Sequence, residues 1–226
     1  PPAPPACHAV LALSRSAGRF ERGPFPDQCE SFEQCSAVCG DLHVRTAVGS
    51  DVRRLTTVLG YDGGPFFSPD GQRVLWRHFE ENGVIADVWT MKLDGSDKQR
   101  ITDFKSMSWA PYFHPSGDYI IFTSNKFGFE NFELFLVDAK GEHEPVRVTF
   151  TPGFDGLPVF SPDGKKLSWT SGRTSDGKAQ IFIADWNDAA ARQALAQAPI
   201  RGGAHKQAAS ETFSHRRTKA ELNAEV

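Results

Sequence analysis

Short apolar runs separated by polar turns make up the middle of the chain. The runs are three to ten residues long. Runs of this length that are bounded by turn residues predict β-strands, because a helix needs a longer segment with a period near 3.6. No run approaches the ~20 apolar residues that a membrane helix requires. The clearest runs are Val74–Trp76, Val84–Leu93, Tyr119–Phe122, Phe132–Val137, Leu167–Trp169 and Gln180–Ala184.

One turn sequence, Phe-Ser-Pro-Asp-Gly or a close variant, precedes an apolar run in three places. The copies begin at Phe67, Phe113 and Phe160, which lie 46 and then 47 residues apart. The sequence suits a tight hairpin, since Pro presets φ to about −65° and Gly accepts positive φ. A second marker, Arg-x-Thr, keeps this spacing at 54–56, 100–102 and 147–149. Repeats of this length with four strands are typical of β-propeller blades.

The turn, the apolar strand after it and an Asp-Gly-Ser before Arg-x-Thr together resemble the WD40-like blade repeat of the TolB-like β-propellers. The resemblance covers about residues 41–186. It implies a six-bladed fold in the best-known members, a bacterial periplasmic or secreted location, and protein binding near the central channel.

The repeats divide the chain into regions. The predicted regions are an irregular leader with Cys and Pro at 1–40, propeller repeats at 41–186 and a helical tail or linker at 187–226. The repeats comprise a half blade at 41–59 and blades at 60–105, 106–152 and 153–186. The predicted fold class is all-β, with about three four-stranded blades plus a half blade in an open or incomplete ring and a short helical C-terminal tail.

Three and a half blades do not close a ring, because propellers close with about 4 to 8 blades and closure removes exposed strand edges. We therefore expect a fragment of a longer protein, or self-association through open strand edges. In the tail, 187–198 is rich in helix formers behind an Asn or Asp cap and stops at Pro199, which predicts a short helix. Thr218–Glu221 resembles a capping box that opens another helix.

All four cysteines, Cys7, Cys29, Cys35 and Cys39, precede the repeats. With His43 they allow a zinc interpretation, but structural zinc usually has tighter Cys-x2-Cys pairs, so we expect no metal. Disulfides and unpaired thiols both remain open.

Charge and motifs exclude several function classes. A net charge of −3 and a pI near 6.2 argue against a nucleic-acid partner. No Gly-x-Ser-x-Gly elbow or phosphate-binding Gly-rich loop occurs, and His143-Glu144 lacks the second His of a zinc-binding motif. We expect no catalytic residues, no cofactor and no enzyme activity.

One polar repeat position offers a first candidate binding site. Asp62, Ser108 and Asp155 occupy it, immediately before the strand that leads into each turn, with Trp109 as an aromatic neighbour. Two carboxylates on one rim suit a cation or a basic peptide. The alternative is that Asp-Gly simply makes the turn between blades.

A loop after the second strand offers another candidate site. It places Arg77, His78, Asn125 and Arg173 at related positions on one face. Loops of this kind often carry recognition, although solvated loop charge is the alternative. The expected function is therefore a non-enzymatic propeller module that binds a protein or peptide in the bacterial cell envelope. The alternative is an N-terminal accessory propeller of a secreted zinc-dependent aminopeptidase or other hydrolase, whose catalytic domain lies elsewhere.

Overall fold

The computed structural model describes residues 9–15, 40–46 and 52–202, which form fourteen β-strands and one α-helix. A half blade contains β1 (Ala9–Arg15), β2 (Gly40–Thr46) and β3 (Arg53–Arg54). The first blade contains β4 (Tyr61–Phe67), β5 (Arg73–Phe79), β6 (Ala86–Lys92) and β7 (Gln99–Arg100). The second contains β8 (Ser108–Phe113), β9 (Tyr119–Ser124), β10 (Glu133–Asp138) and β11 (Val146–Arg147). The third contains β12 (Asp155–Phe160), β13 (Lys166–Ser171) and β14 (Gln180–Asp185), and helix α1 (Asp188–Gln197) follows.

The strands of each full blade pair antiparallel in chain order. Single parallel bridges join successive blades, and all three occupy the same repeat positions: Gly40 with Tyr61, Ala86 with Met107, and Phe132 with Phe154. The first strands of neighbouring blades contact one another, so they form the inner wall of the arc. The predicted all-β fold of propeller blades in an open ring is confirmed.

A β-bulge interrupts the first strand of every full blade. At the bulge, the residue before the proline has a left-handed backbone, with φ of 58° at Gly64, 47° at Ala110 and 57° at Leu157. Only glycine adopts this region without a steric cost. The bulge explains why a proline recurs shortly before each turn, and it places two strained residues on the inner wall.

Hydrophobic clusters fill the gaps between successive blades. The half blade and the first blade share Leu42, Val44, Val74, Trp76, Trp89 and Met91. The first and second blades share Leu75, Val88, Ile101, Ile120, Phe122 and Phe135. The second and third blades share Tyr119, Ile121, Leu134, Leu136, Phe160 and Leu167. The predicted apolar runs therefore supply both faces of the first and second blades and one face of the third.

The Arg-x-Thr marker builds one buried network in each blade that has a fourth strand. In the first blade, Arg100 Nη2 lies 2.6 Å from Asp87 Oδ2, and the Thr102 hydroxyl donates to Asp87 Oδ1 at 2.9 Å. The Val88 backbone N–H donates to the same hydroxyl. Burial raises the pKa of Asp87, and the charge of Arg100 opposes that rise. Equivalent networks join Asp41, Arg54 and Thr56 to β2, and Glu133, Arg147 and Thr149 to β10.

The third blade ends in a helix where the other two have a fourth strand. The predicted helix is confirmed: the Asn187 side chain caps it by accepting the Ala190 backbone N–H at 3.0 Å. Leu195 of α1 packs into the cluster between the second and third blades. Further on, Arg201 donates to the Ile101 carbonyl at 2.6 Å. After β14 the described chain therefore turns back along the preceding blades.

Three of the sequence predictions differ from the structure or lie outside the described residues. The prediction that Arg77 and His78 lie in a loop is wrong, because β5 pairs with β6 over seven residues and includes both. The leader predicted to be irregular contains β1, whose backbone pairs antiparallel with β2 along its whole length. This pairing occupies one edge of β2. The cysteines and the capping box at 218–221 lie outside the described residues.

Candidate functional site

Asp62, one of the predicted site residues, is fully buried in β4. Its Oδ1 accepts a hydrogen bond from Trp76 Nε1 at 2.8 Å and lies 2.8 Å from His78 Nδ1. Its Oδ2 has no hydrogen-bond partner among the described residues. Through its contacts with Trp76 and His78, Asp62 ties the first strand of its blade to the second. Its negative charge also acts on Lys98: burial lowers the pKa of Lys98, and the charge of Asp62 opposes that shift.

The equivalent residues of the other two blades are also buried within strands. Both carboxylate oxygens of Asp155 accept hydrogen bonds from Arg173 Nη2 at 2.9 Å, and Trp169 Nε1 lies 3.3 Å from one of them. The Ser108 and Ser124 hydroxyls are 3.3 Å apart. The interblade-turn interpretation of this position is wrong, since these residues belong to strands. Binding of a cation or a basic peptide stays a prediction.

Asn125 is buried and holds the loop that follows β9. Its Oδ1 accepts the Met107 backbone N–H at 2.9 Å, and its Nδ2 donates to the Phe129 carbonyl at 3.2 Å. The ammonium of the neighbouring Lys126 lies 3.9 Å from the centroid of the Phe104 ring. Asn125 therefore has a defined structural task, and its role in recognition stays a prediction.

Arg77 lies between the first and second blades with an aromatic ring on two sides. Its Cζ is 5.6 Å from the ring centroid of Tyr61 and 6.0 Å from that of Trp109. Cation–π attraction operates over such distances. Trp109 in turn packs against the rings of Phe132 and Phe154, at centroid distances of 6.1 and 6.5 Å. The structure thus brings two predicted site residues, Arg77 and Trp109, together across a blade interface.

A groove that sequence reasoning missed lies where the hairpin turns of the three blades meet. It measures about 330 Å³, and we call it the turn groove. Each blade contributes the phenylalanine and the proline of its turn, and further residues from beside them complete the lining: Phe66, Phe67, Pro69, Tyr112, Phe113, Pro115, Phe160, Ser161 and Pro162. The Phe66 and Tyr112 rings meet edge to face at 5.1 Å, and 42% of Phe66 is exposed.

A signal for the turn groove does exist in the sequence. Phe66 and Tyr112 place an aromatic residue directly before the phenylalanine that opens the turn. Aromatic residues in propellers are readily assigned to blade packing, because most of them do pack between blades. Both residues directly follow the bulge of their strand and line the groove, and Tyr112 also packs against the cluster between the second and third blades.

Side-chain hydrogen bonds fix the turns that carry the prolines. The Ser68 hydroxyl donates to Asp70 Oδ1 and accepts the Arg73 backbone N–H. Ser161 and Asp163 repeat the first of these bonds in the third blade. The serine hydroxyls lower the pKa of both Asp70 and Asp163 below the ordinary value. The groove therefore has preformed walls, which reduces the ordering that a ligand has to impose.

Metal-binding groups and membrane-spanning helices are both absent from the described residues. No group of three or more His, Cys, Asp or Glu side chains there is arranged to hold a metal ion. No described helix has the length and apolar character needed to cross a membrane.

Repeated antiparallel units of three or four strands, joined at equivalent positions around an inner wall, define a protein of the β-propeller class. Residues 41–213 match the family model described as the TolB beta propeller domain, so the chain belongs to the TolB β-propeller family. No curated protein matches the chain.

Solved structures share this fold. TolB from Acinetobacter baumannii is 24% identical, with a TM-score of 0.56 over 69% of this chain and 37% of that one. A putative TolB from Agrobacterium tumefaciens is 23% identical, with a TM-score of 0.55 over 65% and 53%. The β-propeller domain of the Trilobed protease from Pyrococcus furiosus is 15% identical, with a TM-score of 0.52 over 80% and 52%. The chain therefore spans between about a third and a half of the TolB structures it matches.

Proposed function

We propose that this chain is a non-enzymatic propeller module that binds a protein or peptide partner in the bacterial cell envelope. The bound segment lies in the turn groove and along the inner wall beside it. The periplasmic or secreted location is carried over from the TolB-like family that the repeats resemble and to which the chain belongs.

The turn groove is the observation that carries this proposal. Five aromatic side chains and three prolines from successive blades line one concave surface. Aromatic-lined grooves recognise extended peptides, especially proline-containing ones, whose preformed backbone loses little entropy on binding. The groove volume of about 330 Å³ accommodates a few peptide side chains. We therefore expect an extended segment, with an apolar or proline residue seated against Phe66 and Tyr112.

Two buried carboxylates support the non-enzymatic part of the proposal. Asp62 and Asp155 are engaged by indole N–H groups of their own blades, and both are fully buried. A general acid or base must lie within hydrogen-bond reach of a substrate proton, whereas these two carboxylates contact groups of their own blades.

Peptide display tests the proposal. A library of random linear peptides is selected on the wild-type chain, and the enriched pool is then tested on Phe66→Ala/Tyr112→Ala. We expect enrichment of a peptide family that binds wild type and loses at least tenfold in affinity on the double variant. The matched control is Phe127→Ala/Phe129→Ala, which removes two exposed aromatic residues from the loop after β9. No enrichment, or equal binding to both double variants, contradicts the proposal.

One observation favours the alternative of an accessory propeller in a hydrolase. The propeller of the Pyrococcus furiosus protease and the Pyrococcus horikoshii acylaminoacyl peptidase each match 80% of this chain, at TM-scores of 0.52. The TolB structures match a smaller share. Sequencing the gene downstream of Val226 tests this alternative: an open frame that encodes metal ligands or a serine nucleophile supports it, and an immediate stop codon contradicts it.

A further inference from the structure

Arg77 is the one predicted site residue whose charge has no counterpart among the described residues. Arg54, Arg73, Arg100, Arg147, Arg173 and Arg192 each contact a carboxylate at 2.9 Å or less. Arg77 forms no ion pair and no side-chain hydrogen bond with any described residue, and its Nε is buried without an acceptor. Its described partners are the two aromatic rings of Tyr61 and Trp109.

The blade fold does not require an arginine at this position. Thr123 and Thr170 occupy it in the second and third blades. The Thr123 hydroxyl accepts a hydrogen bond from the Leu157 backbone N–H at 3.2 Å, so this N–H at the bulge of the following blade has a partner. Arginine cannot accept a hydrogen bond, so Arg77 cannot perform that task. A half-buried guanidinium without a carboxylate is costly, which makes a structural role a poor explanation.

The surroundings of Arg77 supply a further donor and the space in which its guanidinium lies. The indole Nε1–H of Trp109 is also buried without an acceptor among the described residues. Gly64, at the bulge, leaves the space that the guanidinium occupies, since a Cβ on Gly64 would lie 2.5 Å from Arg77 Nη1. A site with a guanidinium, an indole N–H and no carboxylate among the described side chains that contact Arg77 favours an anionic ligand.

We propose that Arg77, stacked between Tyr61 and Trp109, is a binding site for a carboxylate. A guanidinium presents two parallel N–H groups that match the two oxygens of a carboxylate, and the flanking rings hold it in one orientation. The inference rests on the proposed function in one respect, because the carboxylate belongs to the bound peptide, as an acidic side chain or a free C-terminus. Arg77 pairs with Gly63, three residues before Phe66 on the strand that leads to the turn groove, so we expect one extended peptide to reach both.

Succinate serves as the probe, and the indole N–H resonances of the five tryptophans report its binding by NMR. Trp109→Phe assigns the relevant resonance. At constant ionic strength, we expect succinate to shift the Trp109 indole signal saturably, with a dissociation constant on the order of millimolar. Arg77→Gln abolishes the shift, and Arg77→Lys weakens it because the planar fork is lost. Arg53→Gln is the matched control, since the exposed Arg53 donates to the Leu93 carbonyl at 3.4 Å and forms no ion pair with any described residue.

The same variants separate this inference from the proposed function. For a display-selected acidic peptide, we expect Arg77→Gln, or replacement of the peptide's acidic residue by its amide, to weaken binding about tenfold or more. If the peptide binds but neither change matters and succinate moves no indole signal, the carboxylate inference is overturned and the proposed function stands. If succinate binds through Arg77 but no peptide binds, the proposed function is overturned and the carboxylate inference stands. An equal or larger shift with inorganic phosphate also overturns the assignment to a carboxylate, and unchanged thermal midpoints show that the variants fold.

Discussion

The second and third blades follow one plan up to their third strand and then differ. In the second blade, Glu133 at the start of β10 is fully buried and receives hydrogen bonds from Arg147 and Thr149 of the fourth-strand segment. In the third blade, Gln180 stands at the position of Glu133 and is exposed, and helix α1 follows in place of a fourth strand. The acid on the third strand and the Arg-x-Thr on the fourth are therefore one structural unit, present or absent together.

The same difference shows in the outer surfaces of the two blades. In β10 the residues from Glu133 to Val137 are all buried, whereas in β14 Ile181 and Ile183 are 77% and 68% exposed. An exposed apolar strand at a sheet edge invites pairing with another chain. Self-association through this edge stays a prediction of the sequence, and the variants below test the comparison directly.

The largest effect is expected from Glu133→Gln in the second blade. Removal of this charge leaves Arg147 without its buried partner. Because 27% of the Arg147 side chain is exposed, water solvates part of its charge and reduces the destabilisation. We expect the free energy of unfolding to fall by about 2–4 kcal/mol. Urea denaturation followed by circular dichroism measures it. The matched change Gln180→Glu in the third blade should not stabilise the chain, because no described Arg or Thr receives it; a gain in stability would contradict the comparison.

A second contrast concerns the tryptophans that hold the buried acids. Trp76 is fully buried and donates to Asp62 at 2.8 Å, whereas Trp169 is half-buried and donates to Asp155 at 3.3 Å. We expect Trp76→Phe to destabilise the chain by about 2–3 kcal/mol, since Asp62 loses a hydrogen bond in the interior. Trp169→Phe should cost less than half as much, because Arg173 still holds Asp155. Thermal unfolding compares the two, and equal midpoints would argue against the interpretation.

The bulges allow a stabilising change in the second and third blades. Ala110 and Leu157 have left-handed φ values, and the first blade has Gly64 at the same position. We expect Ala110→Gly and Leu157→Gly each to stabilise the chain by about 0.5–1 kcal/mol, because relief of strain exceeds the entropy that glycine adds to the unfolded chain. Urea midpoints measure the gain. Gly64→Ala is the reverse test and should destabilise, as its Cβ also meets Arg77.

The smallest effect concerns pH and the turns. The Ser68 hydroxyl holds the pKa of Asp70 below its ordinary value of 3.8. A lowered folded-state pKa stabilises the fold above the unfolded value, and the stabilisation is lost as pH falls through the folded value. We expect Ser68→Ala to raise the Asp70 pKa toward 3.8 and to remove part of this acid-sensitive stability. Carboxyl NMR titration measures the shift, and Ser161→Ala, which should move Asp163 but leave Asp70 unchanged, is the control.

The sequence predicted the repeat, the strands and the capped helix because their signals are local. Ser68-Pro69-Asp70-Gly71 forms a turn through bonds within the segment, and Asn187 caps α1 through Ala190. The candidate site depended on contacts that no local pattern encodes. Arg77 and His78, predicted in a loop, lie in β5 because β5 pairs with β6 along its length. Phe66 and Tyr112 directly follow the bulge of their strand and line the turn groove. The pattern also predicts Asp62 at the rim, whereas Asp62 is buried and bonded to the indole of Trp76 on the neighbouring strand.

One affinity comparison tests most directly the proposal that the partner binds in the turn groove rather than on the exposed third blade. A display-selected peptide is titrated by calorimetry into wild type, Phe66→Ala and Ile183→Ala, which truncate exposed apolar residues in the two competing regions. We predict that Phe66→Ala weakens binding at least tenfold and that Ile183→Ala leaves the affinity within twofold of wild type. Unchanged binding to Phe66→Ala, with loss of binding to Ile183→Ala, would contradict it.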